Sequence, residues 1–252
     1  HRRLRNRRLI KRTMLTGRGD DAKRTQGERF DICAETCSDS PPLDIADGGN
    51  VSSCLGGHTR FIRHSGAEHS RDELRQLFKS FCDARPAGSK FAHRKTDGPA
   101  SSSPSMKWVN PPVAFMMHAG VPLLRAAGIH LPGLCAGDAR RVGLEAYPGL
   151  LARELIGTRS YKSDDRAKQT QERWVARSDL LQRLELGQTR LGLRLQLGNA
   201  MRETLLQDGQ ADALDAVLCM VQAAWALQQH QNGHGQYGLP TFDPLEGWIV
   251  SA

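Results

Sequence analysis

No apolar run in the sequence approaches the roughly 20 residues a helix needs to span a bilayer, which excludes a membrane-crossing helix on length alone. The start is basic but no long apolar stretch follows it, so nothing reads as a secretory signal. Six cysteines without such a signal are too thinly spread for a disulfide framework; they read as reduced thiols, and a cytoplasmic setting is the expectation. Aromatic residues are scarce at 6%, and none interleaves the arginines of the N-terminus. No internal repeat is present, which excludes solenoids and propellers.

What is present divides into two parts of different character. The net charge of +8 belongs almost wholly to the first 30 residues, which hold 11 Lys/Arg against 3 Asp/Glu; the remainder has 24 of each sign. The segment HRRLRNRRLIKRTMLTGRGDDAKR therefore reads as a solvated, poorly ordered tail, with phosphate contacts to nucleic acid as the competing reading. Residues 1–67 carry little helical or alternating apolar pattern. The first residue is His rather than Met, and the composition changes abruptly near residue 68. Both lead us to expect that the upstream stretch is read in another frame or replaced.

From about residue 68 the pattern is that of a folded α/β domain. Leu74, Leu77, Phe78 and Phe81 recur at helical spacing behind Ser70 and Glu73, a capping-box pair. Residues 90–112 read as a loop. VAFMMHAGVPLLRAAG reads as a helix broken near Gly120 and Pro122. RRVGLEAYP reads as a strand with a Tyr-Pro turn, and GLLARELIG as a helix closed by Gly157. Further helices are expected over 171–186, with Trp174, Leu180, Leu181 and Leu184 on the apolar face, and over 199–207. A last helix, QADALDAVLCMVQAAWALQQ, precedes a turn-rich ending with a short strand.

That last helix is apolar around most of its circumference, yet it opens with Asp212 and Asp215. One reading makes Asp212 the N-cap and Asp215 the acid of the first turn. The other starts from their i, i+3 spacing, which puts both carboxylates on one face where they can share a hard divalent cation. Glu145, at the end of an apolar strand, is a candidate third ligand, because a carboxylate there is costly unless paired or coordinated. A bridge to Arg140 or Arg141 is the alternative. A strand-end Glu with an Asp-x-x-Asp helix is the minimum set for metal-assisted phosphodiester cleavage.

VGLEAYPGLLARELIG, SYKSDD, ADALDAVLCMVQAAWAL and EGWIV, in this order, resemble the predicted ribonuclease H-like nucleases catalogued as domain of unknown function 429. FAHRKTDGPASSSPSMKWVNPPVAFMMHAGVPLL resembles that family's middle region, so the likeness runs from about residue 68 to the end. It implies a ribonuclease H-like α/β fold, a mixed sheet flanked by helices, with Glu145, Asp215 and Asp212 as catalytic acids that ligate Mg²⁺ or Mn²⁺. It also implies that an Asp on a first strand completes the site. Asp31, Asp44 and Asp47 are the candidates, and none sits in a convincing strand, so the domain over 68–252 is expected to be incomplete.

Among the other polar residues, His93, Arg94, Lys95, Thr96 and Asp97 cluster as phosphate-contacting types, followed by Lys107, Asn110 and a Trp108 able to stack on a base. The competing reading is a solvated or internally hydrogen-bonded loop. Tyr161 and Lys162 form a second such candidate. His118 reads as a satisfied core histidine. Cys33-x3-Cys37 with Cys54-x3-His58 has a loose zinc-like spacing, though unrelated thiols are the simpler reading. Cys82, Cys135 and Cys219 stand in apolar contexts and read as core thiols. The resemblance implies a metal-dependent nuclease acting on nucleic acid. A non-catalytic binding member of the fold and an inactive fragment are the alternatives.

Overall fold

The computed structural model describes residues 15–18 and 70–252, except 88, 89, 110 and 245. The expectations placed on Asp31, Asp44, Asp47, Cys33, Cys37, Cys54, His58 and Asn110 lie outside the described residues. The chain is a mixed α/β protein forming two compact units, one built mainly from Glu145–Leu239 with Ile249–Ala252, the other mainly from Thr16–Leu144 with Pro240–Trp248. No described helix is long and apolar enough to cross a membrane.

In the second unit, α1 (Arg71–Asp83) begins at the expected capping box. Ser70 N–H donates to Glu73 Oε2 at 2.6 Å, and Glu73 N–H donates to Ser70 Oγ at 3.3 Å. A short helix α2 (Asp97–Ala100) follows, then α3 (Val113–Ala126), and Arg71 lies 4.1 Å over the ring of Phe115. The break expected near Gly120 and Pro122 is not found. Pro122 lies inside a continuous α3, which runs on past it to Ala126 without the hydrogen bond its N–H would have made.

Three strands form the sheet, β1 (Leu15–Arg18), β2 (Ile129–His130) and β3 (Asp138–Leu144), in the order β1-β3-β2. β2 and β3 run parallel, with a register break between Ile129 and His130. Parallel neighbours ordinarily need a crossover of a dozen residues or more; here seven suffice because the pair is two partners long. The turn is tight enough to require glycine, since a Cβ on Gly137 would stand 2.5 Å from the Ile129 carbonyl carbon. β1 falls in the segment whose pattern suggested no strand. An edge strand of four residues pairs through its backbone and needs no apolar alternation to announce it.

The first unit is helical: α4 (Pro148–Ile156), α5 (Gln171–Glu185), α6 (Asn199–Gln207) and α7 (Asp212–Gln231). Proline at the first position starts α4, and Gly157, at φ 63°, ends it as expected. Leu151 and Leu155 of α4 meet Leu180, Leu181 and Leu184 of α5, Leu205 and Leu206 of α6, and Leu214, Leu218 and Val221 of α7 in one core. In α4 and α7 these positions recur every three or four residues, and in α5 and α6 adjacent leucines widen the stripe, so each helix turns one face inward. Trp174 packs against the core only in part. The expected terminal strand is reduced to a single parallel bridge between Glu145 and Ile249, with Val250 N–H donating to the Glu145 carbonyl at 2.8 Å.

Leu180 is fully buried and Leu227 is 39% exposed. Leu180→Ala is expected to lower the unfolding free energy by about 2–5 kcal/mol in urea titration, and Leu227→Ala to stay within about 0.5 kcal/mol. Equal losses at the two positions would show that this core is wrongly assigned.

Candidate functional site

The inward stripe of α7 contains one carboxylate. Asp215 is 1% exposed and stands between Leu214 and Leu218. Burial at that depth requires partners, and both come from SYKSDD in the loop between α4 and α5. Tyr161 Oη donates to Asp215 Oδ1 at 2.7 Å, and the Lys162 ammonium donates to Oδ2 in an ion pair. The structure thus joins two sequence candidates that lie more than 50 residues apart.

The loop is fastened to the entrance of α7 at several points. Ser163 N–H donates to the Gly209 carbonyl at 3.1 Å, and Gln169 Nε2 donates to the Ser163 carbonyl at 2.9 Å. A Cβ on Gly209 would come within 2.2 Å of Gln169 Oε1, so a larger residue there would displace the Gln169 side chain. Arg177, buried on α5, donates from Nη1 to the Tyr161 carbonyl at 2.8 Å and from Nε to the Leu206 carbonyl at 2.9 Å. Burial pulls its pKa below the ordinary arginine value, and Asp208 opposes the shift.

The N-cap reading of Asp212 needs correction. Asp212 is the first helical residue, and Ala211 occupies the cap in a left-handed conformation with φ 55°. The carboxylate that serves the open helix end is Asp208, whose Oδ2 accepts from Ala213 N–H at 3.2 Å and Oδ1 from Gln210 N–H at 3.1 Å. Asp208 reaches that position because Ala211 N–H folds back onto the Asp208 carbonyl at 3.0 Å.

Glu145 is half-buried in its bridge to Ile249. Arg140, one of its expected partners, pairs instead with Asp138. Two residues beyond Glu145, Tyr147 N–H donates to Gln222 Oε1 at 3.1 Å, and Gln222 Nε2 donates to the Val250 carbonyl and to Ser251 Oγ. Gln222 is fully buried and ties α7 to Tyr147 and the C-terminal residues. Among the described residues, no group of three or more His, Cys, Asp or Glu is placed to hold a metal ion.

The electrostatics around Asp215 follow from burial. The Tyr161 phenol is raised far above its ordinary value, first by burial, then by the Asp215 charge and its hydrogen bond, with Tyr147 and Cys219 adding smaller effects. Tyr161 is therefore a permanent donor. The Cys219 thiol is pushed up to about 12, again by burial first and Asp215 second, with Lys162 opposing.

The 93–97 loop follows the internally hydrogen-bonded reading at Arg94 and Asp97. Arg94, Thr96 and Asp97 are all buried. Asp97 Oδ1 accepts from Arg94 Nε and Nη2 and from Ser102 Oγ at 2.7 Å, and Oδ2 accepts from Arg94 N–H. Arg94 Nη1 also donates to the Glu246 carbonyl at 3.3 Å, and Glu246 Oε2 accepts from Lys95 N–H at 2.8 Å. Arg94, Thr96 and Asp97 thus face inward in a hydrogen-bonded knot and present nothing to a phosphate; His93 and Lys95 are exposed. His118 is half-buried on α3. Cys82 and Cys219 are buried as expected, whereas Cys135 is exposed. The expectation for Cys135 missed that its loop, bridged back to Leu131, lies outside the core.

Arg177, Asp208, Gln222 and Glu246 were not anticipated as functional residues. Arg177 and Gln222 had a signal, since each is a polar residue on the apolar stripe of its helix. Comparison with known proteins finds no matching family model, no matching curated protein and no matching solved structure.

A thiol raised to about 12 is almost entirely protonated at pH 8.5. Peptide mapping after iodoacetamide treatment of the native protein is expected to find Cys135 modified and Cys219 intact. The raised value also means that stability is lost as pH climbs from the ordinary thiol range toward about 12. Cys219→Ala is expected to flatten the alkaline limb of a thermal denaturation series, and an unchanged limb would refute that source.

Proposed function

We propose that the chain is a divalent-metal-dependent nuclease of ribonuclease H-like type, related to domain of unknown function 429, that hydrolyses phosphodiester bonds with water as nucleophile. The observation that carries this reading is the buried Asp215 carboxylate in the first turn of α7, held by Tyr161 and Lys162. Two of the segments that carry the resemblance meet at that point. Glu145 belongs to the same unit and forms a single parallel bridge with Ile249.

The donor chemistry of Glu145, Asp212 and Asp215 fits a hard cation such as Mg²⁺ or Mn²⁺, which takes a few carboxylates and keeps water. In the arrangement held here both Asp215 oxygens accept from Tyr161 and Lys162. When bound, the cation would activate water and stabilise the leaving oxygen. The protein's own residues act as follows. Tyr161 orients the Asp215 carboxylate, Lys162 balances its charge, and the 36% exposed Lys162 side chain remains within reach of a phosphate from solvent.

A second reading, a non-catalytic nucleic-acid-binding member of the same fold, is favoured by the Lys162 ion pair on Asp215. Metal titration separates the two. Purified full-length chain is expected to cleave DNA or RNA with Mg²⁺ or Mn²⁺ and not with EDTA, and Asp215→Asn to lower the rate by about a hundredfold or more. Glu145→Gln, at a half-buried position, repeats the comparison should Asp215→Asn fail to fold. Binding without cleavage at any metal concentration would leave the second reading standing.

A further inference from the structure

We propose that residues 90–95 and 106–108 form a surface for single-stranded nucleic acid, with His93, Lys95 and Lys107 on backbone phosphates and Trp108 stacking on a base. The proposal deepens the nuclease reading by naming its substrate class, and rests on that reading only for the link to cleavage.

Two contacts set the segments side by side. Ala92 N–H donates to Met106 Sδ at 3.3 Å, and the rings of Phe91 and Trp108 meet at 5.6 Å and 66°. The segment that carries His93 and Lys95 therefore lies beside the one that carries Lys107 and Trp108. The knot beneath determines which side chains point outward. Arg94 and Thr96 are buried, His93 and Lys95 are exposed, and this alternation is held by Asp97 and by the Glu246 carboxylate on Lys95 N–H.

The charge pattern makes the face an anion surface. Among the described residues no ion pair engages Lys95 or Lys107, while Asp97 and Glu246 are buried and hydrogen-bonded. Trp108 is half-buried and touches Phe91 through an edge contact, and no described aromatic ring is stacked on it. Cations that take phosphates beside an aromatic face are the two components of single-strand binding. A duplex base is already stacked on its neighbours and has no free face to offer, so the tryptophan selects the unpaired form.

The test is fluorescence anisotropy of the full chain with a labelled single-stranded oligonucleotide in EDTA, so that binding is measured without hydrolysis. The basic N-terminal segment contributes equally to every variant compared. Lys95→Glu with Lys107→Glu is expected to weaken binding about tenfold or more, and to reduce the salt slope by about 1.4 for two lost phosphate contacts. Quenching of tryptophan emission by the oligonucleotide is expected in the native chain and lost in Trp108→Phe, which keeps the Phe91 contact. Unchanged affinity in the double variant, tighter binding of a duplex of equal length, or equal competition by polyglutamate would each overturn the proposal. A chain that binds in this way and never cleaves removes the nuclease reading and leaves this surface in place.

Discussion

A polar group on the buried face of a helix must find its partners inside the protein, and the helical unit is organised around two such groups on α7. Asp215 and Gln222 lie two turns apart in an otherwise apolar stripe. Leaving either unsatisfied would cost more than a typical hydrogen bond contributes, so their partners are structural obligations. Asp215 draws in the Tyr161–Lys162 loop, and Gln222 draws in Tyr147 and the C-terminal Val250 and Ser251. Arg177 does the same for the two segments that flank the site, by taking the carbonyls of Tyr161 and Leu206. The leucine core supplies cohesion, which is non-directional. The polar contacts decide which loop faces which helix.

The same rule explains what was legible in the sequence. Helices whose apolar residues recur at 3.6-residue spacing could be read almost to the residue: α4 between Pro148 and Gly157, α5 with Leu180, Leu181 and Leu184 inward, α6 over 199–207. The capping box at Ser70 was also legible, because both members are local. Partnerships across long separations were not. SYKSDD and the Asp pair each stood out alone, but no spacing rule predicts that Tyr161 and Lys162 would close on Asp215.

The cap of α7 shows a different limit. Asp212 occupied the position a cap ordinarily takes, and the left-handed Ala211 displaced it by letting the chain fold back on Asp208. A left-handed alanine carries no sequence mark of the kind glycine gives. In the 93–97 loop, residue types alone suggested a phosphate clamp. Burial reversed the roles, because Arg94 and Asp97 satisfy each other, and a guanidinium occupied by a carboxylate has no donors to spare for solvent.

Charge offers the last step. Outside the first 30 residues the chain has as many acids as bases, so the field at the surface of that part depends on where the charges lie. Asp97, Asp215 and Glu246 are each turned inward and answered by an arginine, a lysine or backbone N–H groups, while Lys95 remains exposed above the knot that buries two of those acids. Buried and compensated carboxylates contribute little field at the surface, whereas exposed ammonium groups act directly on an approaching phosphate, within a screening length of about 8–10 Å. The folding constraint that pairs the acids in the interior therefore also leaves Lys95 turned outward, and it does so through the same hydrogen bonds that hold the loop in shape.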